Sequence, residues 1–264
     1  MRAISIIIVL LLVAVAAFAE TYNTPTIDGV VNIAPDDWDA DDFAVDDPSD
    51  DCRYAPNDPD MDDLYITWDA DSLYVGIVTA RPPGGFGNGY LIFIDTDAQN
   101  GITGATDFTS ADYYPRRITF STMGADVVMG AWNLGGPFMK FCQDPTSTTD
   151  VPEQHAVSDT SVKHIEVAVS WNGLFGLGVR AVPANTTLRF IAAIVGGDGT
   201  GAYDAMPTSS TGLESDPETP FDAETELDVY YEAVVDNNGD GVPDTGYSPV
   251  ESTSWGRIKG MFTE

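Results

Sequence analysis

The sequence is poor in basic side chains, with 11 lysines and arginines against 42 aspartates and glutamates, and its formal net charge is −31 at pH 7. This charge repels phosphate backbones and anionic lipid, so nucleic acid is not an expected partner. The Gly-x-Ser-x-Gly, His-Glu-x-x-His and phosphate-loop motifs are also missing, and we do not expect an enzyme. Carboxylates are so numerous that a close pair would carry no signal for acid–base catalysis.

Long hydrophobic runs are missing beyond the N-terminus. Met1 and Arg2 precede an apolar run over residues 3–15 and then Ala17-Phe18-Ala19, a pattern typical of a signal peptide over residues 1–19. The run is shorter than the roughly 20 residues of a membrane-spanning helix, so an uncleaved anchor is the weaker alternative. We expect residues 20–264 to form one domain without a membrane span, secreted or held at the cell surface, with the periplasm as an alternative.

Helical periodicity is nearly absent. Short runs rich in Val, Ile, Tyr, Phe and Thr recur between turns of Gly, Pro, Asp and Asn, which predicts an all-β fold. The expected architecture is a two-sheet antiparallel β-sandwich with long acidic loops. Strands are predicted over 64–68, 73–79, 89–95, 118–122, 127–132, 164–171, 188–195, 227–235 and 254–261.

Burial can be predicted for several of these strands. Residues 91–94 and 191–195 are apolar almost throughout, which is typical of central strands that are covered on both faces. The strand at 164–171 alternates, which places Trp171 in the core. Segments 34–63 and 202–223 are dense in Asp, Pro, Gly, Ser and Thr, so we expect long loops there. The strands at 64–68 and 73–79 should form a hairpin, and so should those at 118–122 and 127–132.

Five short motifs follow one another along the chain: Ile27-Asp28-Gly29 leading to Trp38, then residues 66–75, 91–97, 165–171 and 188–193. This succession resembles the family 9 carbohydrate-binding modules and the wider DOMON-like group of β-sandwiches. The resemblance implies a two-sheet antiparallel sandwich that is often calcium-stabilised and often attached to extracellular glycoside hydrolases. The implied partner is a polysaccharide or other glycan.

The resemblance also implies a sugar-binding aromatic residue before the strand that ends in Ile94 and Asp95. Phe86 stands where those modules carry a tryptophan, and a phenyl ring can stack on a sugar face. Asn88 follows in the same loop with an amide that can bond hydroxyl groups. Trp132 leaves a strand for a glycine-rich loop, and it is either a second exposed platform or part of the packing. The predicted ligand-binding residues are Phe86, Asn88 and Trp132.

Residues 236–244 have the spacing of a calcium loop. Oxygen-bearing side chains stand at its first, third, fifth and ninth positions, a carbonyl is available at the seventh, and Gly241 permits the sharp turn. Tyr247 replaces the bidentate glutamate of an EF-hand, so the loop resembles those of dockerins and thrombospondin type 3 repeats. The alternative is a solvated turn. The predicted Ca²⁺ ligands are Asp236, Asn238, Asp240, Val242 and Asp244.

The two cysteines, Cys52 and Cys142, predict one disulfide in an exported chain, and two thiols or a cysteine metal site are the alternatives. The acidic turn at 95–101 and the aspartates of 36–63 could also hold cations or simply be solvated.

Two other functions stay open at this stage. One is a structural or assembly protein of the cell envelope or extracellular matrix, without sugar binding, whose partners would be other cell-surface proteins. The other is a haem-binding redox module, which the DOMON-like resemblance implies through methionine with histidine or lysine. The candidate residues are Met123, Met129, Met139 and His164.

Overall fold

The computed structural model describes residues 23–34, 36–48, 52, 60–79, 88–96, 104–133, 135–144, 146–209 and 224–244. These residues form antiparallel sheets that pack face to face, which confirms the predicted all-β sandwich. Within these ranges no helix is long and apolar enough to cross a membrane. The predicted signal peptide, Phe86 and the predicted strand at 254–261 lie outside the described residues.

The strands are short and follow one another closely. They are β1 (Phe43–Asp46), β2 (Met61–Trp68), β3 (Ser72–Thr79), β4 (Gly89–Asp95), β5 (Ile118–Phe120), β6 (Val127–Trp132), β7 (Gly135–Asp144), β8 (Ser147–Asp150), β9 (Gln154–Asp159), β10 (His164–Ser170), β11 (Thr187–Val195), β12 (Ala202–Met206), β13 (Thr225–Leu227) and β14 (Tyr231–Val234). A short α-helix, α1 (Trp171–Phe175), follows β10, and a 3-10 turn, Ala40–Asp42, precedes β1.

The first sheet has the strand order β1-β2-β3-β10-β9, and its strands are antiparallel. The β2–β3 hairpin is the one predicted from the sequence. Its turn is fixed by Asp69, whose carboxylate Oδ1 accepts hydrogen bonds from the backbone N–H groups of Asp71 at 2.7 Å and Ser72 at 2.8 Å. An aspartate that bonds its own backbone in this way stabilises a tight reversal.

The second sheet has the order β12-β11-β4-β6-β7-β8, and β14 also pairs with β11. The apolar strands β4 and β11 are neighbours at its centre, as predicted, and every residue of β4 is buried. Strands that are apolar on both faces need cover on both faces. Here one face of the second sheet packs on the first sheet, and segment 104–126 covers the other.

The hydrophobic interior therefore has two main layers. Between the sheets, alternate residues such as Ile66 and Val167 pack with Ile92 and Phe190. On the outer face of the second sheet, Phe93 contacts Phe108 and Phe120 edge-on, with ring centroids 5.0 and 4.9 Å apart. Trp171 is wholly buried between the sheets, as predicted, although it begins α1 instead of continuing the strand.

A smaller cluster covers the outer face of the first sheet, where Trp38 packs with Val31, Tyr65 and Tyr74. The missing Cβ of Gly76 leaves room for the Trp38 indole, since an added carbon would lie 3.0 Å from its Cζ2. The opening motif of the sequence is thus an N-terminal cover for this sheet.

Several sequence predictions are wrong. The predicted hairpin of 118–122 with 127–132 does not form: β5 pairs in parallel with β13, because the chain around it belongs to the outer cover of the second sheet. β12 lies in the predicted loop 202–223, and β1 lies in 34–63. β7, β8 and β9 were not predicted, because their polar and glycine-rich sequences lack a clear alternating pattern.

Candidate functional site: an aromatic cleft and an acidic loop

A cleft of about 470 Å³ opens where the segment before β5 meets the end of β6 and the loop after β11. Three aromatic and three charged side chains line it. We call it the aromatic cleft. Its aromatic and charged side chains are Tyr113, Tyr114, Trp132, Asp112, Arg116 and Asp198.

Trp132 is the most exposed of the tryptophans in the described residues, with 39% of its surface accessible. It is the last residue of β6, paired with Gly89 of β4 and Gly135 of β7. Asn133 then turns the chain at φ +52°, and its N–H donates to the Asn88 carbonyl at 2.8 Å. Trp132 is therefore partly exposed at the end of a strand and is not part of the buried core.

The two tyrosines are held against the sheet beside Trp132. Their rings meet edge-on with centroids 4.8 Å apart, and the Tyr113 hydroxyl donates to the Phe138 carbonyl at 3.1 Å. The Tyr114 ring lies against Gly89 and Gly130, and a Cβ at Gly130 would clash with it. These glycines are therefore required for the close approach. Burial raises the pKa of both tyrosine hydroxyls, so they stay protonated at neutral pH.

The charged residues of the aromatic cleft are held in place by hydrogen bonds. Arg116 is buried and donates through Nη1 to the Asp198 carboxylate at 2.8 Å and to the Pro115 carbonyl at 2.7 Å. Burial lowers the pKa of Arg116, and the Asp198 carboxylate opposes that shift. Asp112 is exposed and accepts from the Thr148 N–H at 3.2 Å.

Of the two predicted ligand residues that the structure describes, Trp132 lines the aromatic cleft and Asn88 does not. Asn88 is 2% exposed, and its backbone N–H donates to Asn133 Oδ1 at 3.1 Å. It supports the turn after Trp132, and its position does not favour the predicted sugar contact. Phe86 lies outside the described residues.

Sequence reasoning missed Tyr113, Tyr114, Arg116 and Asp198. The Tyr-Tyr-Pro-Arg run at 113–116 and the glycine-rich run at 196–201 can each be seen in the sequence. The hydrogen bond that joins Arg116 to Asp198 spans 82 residues of sequence and is visible only in the fold.

The acidic loop, residues 236–244, is folded by its own side chains. Asp236 is 1% exposed, and its carboxylate accepts backbone N–H groups from Gly239 at 2.8 Å, Gly241 at 2.9 Å and Asn185 at 2.9 Å. Desolvation by burial acts against ionisation, yet these hydrogen bonds together hold the pKa of Asp236 below its usual range. Asp236 is therefore a charged anchor between the loop and the segment before β11.

The other oxygens of the acidic loop also bond within it. Asn238 Oδ1 accepts from the Asp240 N–H and Asp240 Oδ1 from the Val242 N–H, at 2.8 and 2.9 Å. Asp244 Oδ1 accepts from the Asn238 side-chain amide at 2.6 Å. The residue types fit a hard cation such as Ca²⁺. Across the described part of the chain, however, no three acidic, histidine or cysteine side chains are grouped as metal ligands.

In the second acidic turn, the carboxylate of Asp95 is paired with a basic side chain of the protein. Asp95 pairs with Arg189 at 3.2 Å, and Thr96 donates through its backbone N–H to Asp126 at 2.8 Å. Asp95 and Thr96 are buried and are bonded within the protein, so the predicted solvated turn is wrong for these two residues. Residues 97–101 lie outside the described part of the chain.

The predicted disulfide is not present, which corrects the sequence prediction. Cys52 is buried in the layer between the sheets, and Cys142 is buried in the layer on the outer face of the second sheet. The second sheet separates them. Burial, with smaller effects from Asp112 and Asp126, raises the pKa of the Cys142 thiol to about 12, so it is protonated at neutral pH.

The residues considered for haem lie in different layers of the sandwich. Met129 and Met139 are buried and face each other across β6 and β7. His164 is on the first sheet, where its Nδ1 accepts the Val31 N–H at 3.0 Å. Burial lowers the pKa of His164. Their placement does not bring a methionine and a histidine together as axial ligands.

No protein-family model matches this chain, and no curated protein matches it. Its function is therefore inferred from the fold, the aromatic cleft and the acidic loop.

Proposed function

We propose that this chain is a secreted, non-catalytic module that binds carbohydrate in the aromatic cleft and is stabilised by calcium at the acidic loop. The observation that carries the proposal is the partly exposed Trp132 beside two tyrosines and two carboxylates in one cleft. The signal-peptide pattern over residues 1–19 supports export.

The chemistry of the cleft suits a sugar because each of its two kinds of side chain contributes a different contact. An indole face stacks on the C–H face of a pyranose and removes apolar surface from water. Carboxylates accept hydrogen bonds from hydroxyl groups, and Asp112 and Asp198 are both exposed at the cleft. Trp132 would therefore supply most of the contact area and the carboxylates the orientation.

Calcium would have a structural role. The ligands would come from Asp236, Asn238, Asp240, Asp244 and the Val242 carbonyl, and the ion would offset the repulsion among their carboxylates. The loop already links two parts of the sandwich: the Asp244 N–H donates to the Val235 carbonyl at 2.7 Å, and the Val182 N–H donates to the Gly241 carbonyl at 3.0 Å. An ion there would strengthen this connection.

Affinity electrophoresis of the mature protein in gels that contain soluble polysaccharides tests the proposal. We expect at least one polysaccharide to retard the protein and Trp132→Ala to weaken binding about tenfold or more, as expected for loss of a stacked aromatic ring. Phe43→Ala is the matched control, because Phe43 is 40% exposed but lies in the first sheet, and it should bind like the parent.

The sugar-binding proposal fails if none of a broad panel of neutral and charged polysaccharides retards the protein when calcium is present. The assembly alternative would then be tested by the protein's self-association. Binding that is equal for the parent and Trp132→Ala would move the sugar site away from the aromatic cleft.

A further inference from the structure

Asp198 combines high exposure with a fixed position. Its side chain is 82% exposed, yet its Oδ1 accepts a 2.8 Å hydrogen bond from Arg116, whose side chain is 2% exposed. An exposed aspartate is usually free to rotate, and ordering it on binding costs conformational entropy. Here the ordering is already done in the folded protein.

Arg116 is itself firmly held. Its Nη1 also donates to the Pro115 carbonyl, and its guanidinium lies 5.4 Å from the centre of the Tyr114 ring. The backbone adds to this, because the Arg117 N–H donates to the Thr200 carbonyl at 2.8 Å and the Gly199 N–H to the Pro115 carbonyl at 3.3 Å. Arg116 therefore connects the stacking side of the aromatic cleft with its carboxylate.

We infer that Asp198 is the residue that recognises sugar hydroxyls in the aromatic cleft, and that Arg116 is a positioning residue that acts through it. This inference rests on the proposed function. Within the described part of the chain, Asp198 makes its hydrogen bond through Oδ1, and Oδ2 makes none. Oδ2 is thus available to accept a hydroxyl of a ring that stacks on Trp132.

The charges of the cleft also select the class of glycan. Arg116 is paired with Asp198, and Lys140, which lies 5.2 Å from the centre of the Tyr113 ring, is paired with Asp150 at 3.0 Å. Both of these cations are thus already paired with carboxylates, and the chain as a whole carries −31. The preferred ligand is therefore an uncharged polysaccharide.

Binding to hydroxyethylcellulose, which is neutral, and to polygalacturonate, which is acidic, tests the inference. We expect the parent to bind only the neutral polymer. Asp198→Ala should weaken that binding about tenfold or more, which is the range for losing a hydrogen bond to a charged group. Asp71→Asn is the matched control, because Asp71 pairs with Arg180 at 2.8 Å in the β2–β3 turn, away from the cleft. It should bind like the parent.

Arg116→Lys tests the positioning role. It should weaken binding in the parent but add nothing in the Asp198→Ala background, because its effect passes through that carboxylate. If Arg116→Lys weakens binding equally in the parent and in the Asp198→Ala background, its role is structural and the proposed positioning role is wrong. Melting temperatures establish that each variant is folded, and Asp198→Ala, at an exposed position, still tests hydroxyl recognition if Arg116→Lys unfolds.

The outcomes distinguish a failure of this inference from a failure of the proposed function. If the parent binds the neutral polymer and Asp198→Ala binds it equally, the hydroxyl-recognition inference is wrong while the proposed function stands. If the parent binds polygalacturonate at least as well, the selection by charge is wrong. If the parent binds neither these polymers nor any in the wider panel, the proposed function fails, and this inference with it.

Discussion

The indole N–H of Trp38 donates a 2.6 Å hydrogen bond to Glu166, a carboxylate that is wholly buried on the outer face of the first sheet. The other carboxylate oxygen of Glu166 accepts backbone N–H groups from Asp28, Gly29 and Val30, at 2.9, 2.5 and 3.0 Å. One side chain thus anchors the whole N-terminal cover.

Glu166→Gln should destabilise the fold by about 1–3 kcal/mol, because the amide NH₂ group cannot accept hydrogen bonds from buried backbone donors. Urea denaturation measures the change. Glu153→Gln is the control, since Glu153 is an exposed carboxylate that also accepts hydrogen bonds, including one of 2.9 Å from Asn172, and its loss should change little. Equal stability of the parent and Glu166→Gln would show that the anchor contributes nothing.

Asp236 predicts part of the acid sensitivity of the fold. Because the pKa of Asp236 in the folded state lies below the usual 3.8, its ionised carboxylate stabilises the fold fully above pH 3.8. This contribution to the free energy of unfolding is lost as the pH falls through the lower pKa of the folded state. Urea denaturation at a series of pH values should show Asp236→Asn to be less stable at neutral pH and less sensitive to acid in this interval. Parallel pH profiles would contradict the assignment.

Calcium should stabilise the parent by about 2.7 kcal/mol at a hundredfold excess over the dissociation constant. Chelation should therefore lower the melting temperature, and Asp240→Ala should abolish the response. Asp107→Ala is the control, because Asp107 lies outside the acidic loop but makes the same kind of turn. Asp107 accepts the Thr109 N–H at 2.8 Å, and Asp240 accepts the Val242 N–H at 2.9 Å. An unchanged melting temperature with chelator would leave the loop as a turn only.

Both cysteines should behave as protected thiols. The native protein, without reductant, should not react with Ellman's reagent, because Cys52 and Cys142 are 3% and 1% exposed. The denatured protein should react with two equivalents, one for each cysteine of the chain. No reaction after denaturation would indicate the disulfide that the sequence predicted.

Prediction from sequence succeeded where a local pattern reports burial directly. The strand at 89–95 was predicted with the bounds of β4, because an apolar run between turn residues is typical of a strand covered on both faces. It failed for β8, where the polar run Ser-Thr-Thr-Asp forms an edge strand by pairing with β7. A strand whose side chains are largely exposed leaves little hydrophobic signal.

The candidate site was predicted in part. Trp132 was a candidate because it leaves a strand for a glycine-rich loop, with packing as the alternative, but its neighbours in the aromatic cleft were not candidates. Tyr114 reaches the site through the close approach permitted by Gly89 and Gly130, and Asp198 through a buried arginine far away in sequence. The alternating pattern of residues 164–171 does not indicate that Glu166 is buried. Such contacts depend on tertiary packing, which a single sequence does not specify.

The most direct test of the central claim, that Trp132 is the sugar platform, is an NMR titration that follows the indole N–H signals, with the Trp132 signal assigned by Trp132→Phe. Adding oligosaccharides of the polymer that binds best should shift the Trp132 signal. Those of Trp38, Trp68 and Trp171, which are at most 5% exposed, should stay in place. A Trp132 signal that does not move while the ligand saturates the protein would contradict the account.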